Sequence, residues 1–225
     1  INNGVDYEHI RNIPISRNEA LKLCNSENWG PNKILGTISR LSPEKGVIIL
    51  LEAFSMAIKK SPHIRLLIVG GYPEEHKNYF LKIKEFIDKE NLSEYIRILE
   101  YRQDALEILK CCDFYISSSL SEGLPISILE AIASNVPTIA TEISGNKDIL
   151  PNSVFGILAK PNSAESLFRA IIKMTQLNSS EISIITRNAL NRVKNNFSVN
   201  EMVNKTTLTY NQVLKKTRLK SSHFN

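Results

Sequence analysis

Residues 121–131 read Ser-Glu-Gly-Leu-Pro-Ile-Ser-Ile-Leu-Glu-Ala, and residues 113–117 just before them read Asp-Phe-Tyr-Ile-Ser. The apolar, aromatic and β-branched residues of 113–117 predict a short buried strand. Pro125 suits the first position of a helix, where its missing N–H costs nothing, and the apolar spacing after it is helical. We therefore expect a strand, a tight glycine turn and a helix N-terminus, whose free N–H groups and partial positive charge favour an anion.

Two carboxylates flank the predicted helix start. Glu122 lies in the turn, and Glu130 lies inside the helix, ~7–8 Å along the axis from Pro125 at ~1.5 Å per residue. Carboxylates are poor ligands for phosphate but good acceptors for sugar hydroxyls. A nucleotide sugar, which carries a diphosphate between two sugars, satisfies this arrangement. By spacing alone, the alternative is that both are solvated acids at a helix end, where the dipole favours Glu122.

Five motifs occur in order along the chain. They are Asn-Gly-Val-Asp at residues 3–6, Gly-Thr-Ile-Ser-Arg-Leu-Ser-Pro-Glu-Lys-Gly at 36–46, Arg-Leu-Leu-Ile-Val-Gly-Gly at 65–71, E-G-x-P-x-x-x-x-E-A at 122–131, and Phe-Ser at 197–198. This series, with Pro-Thr-Ile-Ala-Thr at 137–141, resembles the hinge, phosphate loop, third strand, signature and close of one enzyme family. That family is the retaining GT-B glycosyltransferases of the family 4 group (glycosyl transferases group 1). The resemblance reaches about residue 217.

The resemblance implies catalytic roles for Arg40, Lys45 and Glu122. Arg40 and Lys45 would hold the donor diphosphate and stabilise the charge that develops on it, Arg as a planar fork and Lys as a mobile charge. Glu122 would accept hydrogen bonds from the transferred sugar. The backbone N–H groups of Gly123 and Leu124 would meet the phosphate.

Three further residues complete the implied donor site. Glu130 would bind the ribose hydroxyls. Tyr101 and Arg102, after a predicted strand, fall where relatives receive the base, although an ordinary surface loop is the alternative there. The chain departs from the family pattern at Asn135, where relatives usually carry Gly; Asn also tolerates a left-handed helix end, so we expect the turn to be kept.

The resemblance implies that no cofactor or metal is required, because cations and a helix dipole stabilise the leaving diphosphate. The sequence has no paired-aspartate motif, and its histidines lie without the spacing of metal ligands. They are His9, His63, His76 and His223. Retention of the anomeric configuration also follows from the resemblance alone.

Strand-like and helix-like segments alternate along the 225 residues, of which 42% are hydrophobic. This predicts an α/β fold with a Rossmann-like parallel sheet of about six strands and helices on both faces, the C-terminal half of a GT-B fold. The expected strands are residues 33–39, 64–70, 96–100, 113–117, 137–141 and 154–158. The expected helices begin near Gly46, Glu75, Gln103, Pro125, Ser163, Ser180 and Val199.

The domain organisation is expected to have four parts. Residues 1–30 form a hinge and lead-in, 31–198 the donor-binding domain, 199–217 a C-terminal helix that packs toward an N-terminal domain, and 218–225 a basic tail. Because the chain opens on the hinge-like motif without Met, we expect it to lack an N-terminal, acceptor-binding half. Val203, Tyr210 and Leu214 fall at helical spacing and predict an apolar face on the last helix.

The net charge of +5 comes from basic residues interspersed with acids, which argues against a nucleic-acid partner. From Met202 onward the chain has basic residues and no acid. A frayed tail is one interpretation, and contact with an anionic membrane face, where lipid-linked acceptors occur, is the other. The basic residues are Lys205, Lys215, Lys216, Arg218 and Lys220.

The cysteines, Cys24, Cys111 and Cys112, are odd in number and form no disulfide framework, which indicates a reducing compartment. The apolar runs are too short to span a bilayer, and no signal peptide is evident. We therefore expect a cytoplasmic protein, with peripheral attachment to the inner membrane face as an alternative. The composition, rich in Ser, Asn, Lys and Ile, is compatible with a bacterial surface-polysaccharide pathway.

The sequence thus predicts the donor-binding half of a glycosyltransferase that moves a hexose-type sugar from a nucleoside diphosphate to a glycan or lipid-linked acceptor. Catalysis is expected to need the N-terminal domain. The alternatives are a GT-B-like epimerase or phosphorylase and a non-catalytic nucleotide-sugar-binding module. A dinucleotide-binding Rossmann domain would need G-x-G-x-x-G after the first strand, and a phosphate-loop NTPase would need G-x-x-x-x-G-K-[ST]; neither pattern occurs.

Overall fold

In the computed structural model, which describes residues 1–221 and side chains as far as residue 214, a six-stranded parallel sheet is the central element. Its strands are β1 (Lys33–Ile38), β2 (Ile64–Val69), β3 (Ile96–Leu99), β4 (Phe114–Ser117), β5 (Thr138–Thr141) and β6 (Ile157–Ala159). The strand order β3-β2-β1-β4-β5-β6 is that of the doubly wound α/β fold. The predicted six-stranded parallel sheet is confirmed.

The last strand was predicted at residues 154–158, and its bounds are wrong. Residues before Ile157 form a turn instead, in which the backbone N–H groups of Val154 and Phe155 donate to the Asn152 side chain and carbonyl. The hydrophobic residues correctly indicated a strand, but the turn at Asn152 means that the strand begins only at Ile157.

Helices cover both faces of the sheet. They are α1 (Tyr7–Arg11), α2 (Arg17–Leu23), α3 (Val47–Lys60), α4 (Lys77–Lys89), α5 (Ala105–Leu109), α6 (Ile126–Ala133), α7 (Ser144–Ile149), α8 (Ala164–Gln176), α9 (Ser179–Asn196) and α10 (Val199–Ser221). The predicted two-faced α/β architecture is therefore confirmed.

The core is split by the sheet into two clusters, because successive residues of a strand point to opposite faces. In β1, Ile34 packs in one cluster with residues of α2, α5, α6 and α9. Its neighbour Leu35 packs in the other, with residues of α3, α4 and α8. Burial on both faces explains why the strands read as nearly continuous apolar runs rather than as alternating patterns.

The lead-in segment contains two short helices that the sequence analysis did not predict. Asp6 caps α1 by accepting from the His9 N–H, and Ser16 begins α2 in a reciprocal capping box with Glu19. Ile10 in α1 and Trp29 just before β1 are buried in the core. The lead-in is thus packed against the domain.

The first and last parts of the domain meet at a short parallel bridge between Val5 and Ser198. The helix α10 begins there, and its residues Val203, Tyr210 and Leu214 are exposed in this chain. The predicted basic tail at 218–225 lies outside the residues whose side chains the structure describes. Among the described helices, none has the length and apolar character needed to cross a membrane.

Candidate functional site

Two adjoining cavities open at the C-terminal edge of the sheet. The first, of about 300 Å³, lies between the loop after β1 and the turn from β4 into α6. The second, of about 380 Å³, lies between the ends of β1 and β2, the loop after β3 and the side of α6. The two share Ile38, Ser39 and Arg40. This is the point between β1 and β4 where the strand order reverses, the usual ligand site of such sheets.

The loop after β1 is held tightly against the turn after β4. Gly46 has φ 62°, and a Cβ on it would lie 2.3 Å from the carbonyl oxygen of Ser118, so only glycine fits there. The Ser118 hydroxyl donates to the Lys45 carbonyl at 2.8 Å, and the Leu120 N–H donates to the Glu44 carbonyl at 2.7 Å. This contact fixes the position of Lys45 across the first cavity.

Lys45 and Glu122 form an ion pair in the first cavity. Nζ of Lys45 lies 2.6 Å from Oε1 of Glu122, and the two side chains are only 16% and 14% exposed. The Ser119 hydroxyl donates to the same carboxylate oxygen at 2.7 Å. Low exposure weakens screening by water, so this pair is held more firmly than a surface ion pair.

Arg40 stands at the border between the two cavities. Its side chain is 68% exposed, and its Nη2 lies 3.8 Å from Oε1 of Glu44, too far for a strong hydrogen bond. The guanidinium is therefore able to turn toward either cavity. The structure brings Arg40 and Lys45 together at the first cavity.

The helix α6 begins at the first cavity. Pro125 was predicted at the first helical position but is the residue before it, since its ψ of 113° is extended. No side chain caps this end, which leaves backbone N–H groups for a ligand. Leu124 lines the cavity, and Gly123 lies beside open space, because a Cβ there would meet nothing within 4 Å. At the other end of α6, Asn135 adopts φ 64°, as expected for a left-handed helix end.

The second cavity is lined by the three remaining predicted site residues, Tyr101, Arg102 and Glu130. Glu130 lines it from α6, and burial raises the pKa of its carboxyl. Tyr101 is 77% exposed at the rim. Arg102 donates from Nε and Nη2 to the carboxylate of Asp104 at 2.7 and 2.5 Å, and these bonds hold the pKa of Asp104 below its usual value. The Arg102 guanidinium is thus held in place by Asp104.

Residues that carry hydroxyl groups also line the first cavity, and their role was not predicted from the sequence. They are Thr37, Ser39, Tyr115, Ser117, Ser118, Ser119 and Ser127. The Tyr115 hydroxyl donates to the Ile38 carbonyl at 3.2 Å, and burial raises its pKa. The run of three serines at residues 117–119, directly after a buried strand, was the signal that could have indicated these donors.

Comparison with known proteins agrees with this fold. The fold and site define the class: a Rossmann-like domain that matches the C-terminal half of GT-B glycosyltransferases. The chain belongs to the glycosyl transferases group 1 family, whose model matches residues 25–192.

Among curated relatives, the UDP-Gal:alpha-D-GlcNAc-diphosphoundecaprenol alpha-1,3-galactosyltransferase of Escherichia coli is 31% identical over 216 residues, which cover 91% of this chain and 51% of that protein. The putative glycosyltransferase EpsD of Bacillus subtilis is 28% identical and covers 75% of this chain and 42% of its own length. The chain therefore spans about half the length, or less, of these relatives.

Solved structures show the same fold. A glycosyltransferase from Rickettsia africae superposes with a TM-score of 0.86 at 28% identity, covering 96% of this chain and 57% of that one. Anabaena HepE, crystallised with UDP and glucose, superposes with a TM-score of 0.82 at 24% identity, covering 93% and 56%. The family identified from the motifs is confirmed.

Proposed function

We propose that this chain binds a nucleoside diphosphate sugar across the two cavities and is the donor-binding half of a glycosyltransferase that transfers a hexose-type sugar with retention. The observation that carries the proposal is the meeting of Lys45 and Glu122 in one cavity at the start of α6. A cation, a carboxylate and an uncapped helix N-terminus are the groups needed for a phosphate next to a sugar.

In this proposal the diphosphate lies against Lys45, Arg40 and the N–H groups of Gly123 and Leu124. The transferred sugar lies at the Glu122 end of the first cavity. Because Arg40 borders both cavities, a ligand bound there is able to extend into either of them.

The nucleoside occupies the second cavity. Glu130 accepts hydrogen bonds from the ribose hydroxyls, and Tyr101 and Arg102 form the wall near the base. The partly buried position of Glu130 supports this role, since an acceptor partly shielded from water binds hydroxyls more strongly.

The proposed catalysis depends on stabilising the negative charge of the leaving diphosphate. As the bond between sugar and diphosphate breaks, negative charge develops on the phosphate oxygens. Lys45, Arg40 and the α6 N-terminus stabilise that charge, the helix N-terminus from a fixed position, and this lowers the barrier. We therefore propose that the reaction requires no metal ion and no further cofactor.

The acceptor and the cellular setting are further parts of the proposal. The Escherichia coli relative is named for an acceptor on diphosphoundecaprenol. We infer a glycan or lipid-linked acceptor for this protein as well, held by an N-terminal domain that catalysis requires. A cytoplasmic location, with peripheral contact at an anionic membrane face, fits such an acceptor.

Titration calorimetry with UDP, GDP, ADP and dTDP tests the proposal, followed by the sugar conjugates of the nucleotide that binds. We expect UDP to bind, because the named donor of the relative is UDP-Gal, and Arg40→Ala to weaken binding about 10-fold. Arg169→Ala, which removes an exposed arginine hydrogen-bonded to Glu165, is the control and should bind as the parent does. Binding of no nucleotide, or equal binding by Arg40→Ala and the parent, would contradict the proposed site.

A further inference from the structure

The Glu122 carboxylate is held on one side only. Its Oε1 receives both Lys45 Nζ at 2.6 Å and the Ser119 hydroxyl at 2.7 Å. Among the residues that the structure describes, Oε2 accepts no hydrogen bond. One oxygen of the carboxylate is thus anchored, and the other remains available to a ligand in the cavity.

The anchor at Ser119 is itself supported by a chain of buried side chains. The Thr141 hydroxyl, at the end of β5, donates to the Ser119 carbonyl. The Asn146 amide, in α7, donates to the carbonyl and hydroxyl of Thr141 at 2.8 and 3.1 Å. All three side chains are buried, so these bonds are shielded from exchange with water.

The start of α7 also presses directly on the Glu122 turn. A Cβ on Gly145 would lie 2.0 Å from the Gly123 carbonyl oxygen and 2.9 Å from that of Glu122. Only glycine permits this approach. The β5–α7 segment therefore supports the turn through a backbone contact as well as through the Asn146–Thr141–Ser119 chain.

Lys45 and Ser119 differ in how they respond to a donor. A diphosphate competes for the Lys45 ammonium, because both are charged and adjacent. The Ser119 hydroxyl is neutral, so a diphosphate attracts it less strongly than it attracts the ammonium. The Ser119–Glu122 hydrogen bond is therefore the anchor that we expect to persist when the site is filled.

We propose that Ser119 is a positioning residue, which holds Oε1 of Glu122 so that Oε2 faces a hydroxyl of the transferred sugar. The inference rests on the proposed function, in which Glu122 binds that sugar. Thr141 and Asn146 act one step further back, by fixing the backbone of Ser119. Ser119 thereby sets the preference for one sugar over another, while the nucleotide part of the donor binds independently of it.

The test compares UDP with UDP-glucose, UDP-galactose and UDP-N-acetylglucosamine by titration calorimetry. In Ser119→Ala we expect the affinity for the best conjugate to fall about 10-fold and that for UDP to change less than about 2-fold. Thr141→Val keeps the shape of the side chain but removes its hydroxyl. It should lower the ratio of conjugate affinity to UDP affinity by a smaller factor than Ser119→Ala does. Ser121→Ala, an exposed serine of the same loop, is the matched control.

The outcomes separate the positioning role of Ser119 from the proposed function. If the parent chain binds neither UDP nor a conjugate, the proposed function fails. If the parent prefers a conjugate over UDP and Ser119→Ala keeps that preference, the positioning role is overturned while the function stands. A parent with no preference among sugars also overturns it, because there is then no preference for Ser119 to set. An equal loss of UDP and conjugate affinity in Ser119→Ala, with a lower melting temperature, overturns it too, because Ser119 would then only support the fold.

Discussion

The Lys45–Glu122 ion pair gives a quantitative prediction about the ligand-free protein. Removing one partner of a fully buried pair costs about 3–5 kcal/mol, whereas exposed pairs contribute about 0.2–1 kcal/mol. Because these side chains are 16% and 14% exposed and 2.6 Å apart, we expect Lys45→Met and Glu122→Gln each to cost about 2 kcal/mol. For a domain of this size that lowers the melting temperature by about 4–8 °C.

The double variant, with both Lys45→Met and Glu122→Gln, provides the critical test. Once both charges are gone, neither is left uncompensated, so the double variant should lose about 2 kcal/mol rather than the sum of about 4 kcal/mol. Urea unfolding of the parent, both single variants and the double variant, followed by circular dichroism without ligand, gives the coupling energy. We expect about 2 kcal/mol.

The control is the pair Lys147–Glu142, which is 3.1 Å apart and 49% and 46% exposed. Lys147→Met and Glu142→Gln should couple by less than about 1 kcal/mol. If the Lys45–Glu122 coupling is no larger than that of the control pair, the reasoning from burial is refuted and the two charges do not meet in the ligand-free protein.

Four further predictions concern the same edge of the sheet. Glu122→Ala should spare UDP binding but remove discrimination among UDP-sugars, and a matched loss of both in calorimetry would instead assign Glu122 to support of the turn. Glu130→Gln should weaken UDP and its conjugates equally, by about 10-fold, because the ribose is common to both; unchanged UDP affinity would remove the ribose role. Burial raises the pKa of Glu130 above its ordinary 4.5. The contribution of Glu130 to stability is therefore fully present at low pH and is lost as the pH rises through the raised pKa. In urea unfolding, the stability of Glu130→Gln relative to the parent should therefore increase from about pH 4 to 8. Gly46→Ala should destabilise the protein by more than about 2 kcal/mol, because Gly46 has a left-handed φ and lies next to the Ser118 carbonyl. Gly123→Ala, beside open space, should change stability by less than about 0.5 kcal/mol. Equal effects of the two variants would contradict the packing described for the two loops.

The elements that the sequence missed are the short ones. The helices α1, α2 and α7 have 5, 7 and 6 residues. Segments of this length contain too few turns to show a helical stripe, and their stability comes from tertiary packing. Local signals were present for two of them, since Asp6 and the Ser16–Glu19 pair are capping residues.

The sequence by itself determined the fold class and which residues carry charge at the strand ends. Alternating apolar segments specify a two-faced parallel sheet, and the positions after β1 and β4 place Arg40, Lys45 and Glu122 at its C-terminal edge. These properties are local, because they depend on the period of each segment and on the residues that follow it.

Only the tertiary structure decided which of these side chains touch. Lys45 and Glu122 are 77 residues apart, and they meet because β1 lies next to β4 in the sheet. The support of Ser119 by Thr141 and Asn146 likewise requires β5 to lie next to β4. Strand order arises from the packing of all the helices and strands together, so the periodicity of one segment contains no information about its neighbour in space.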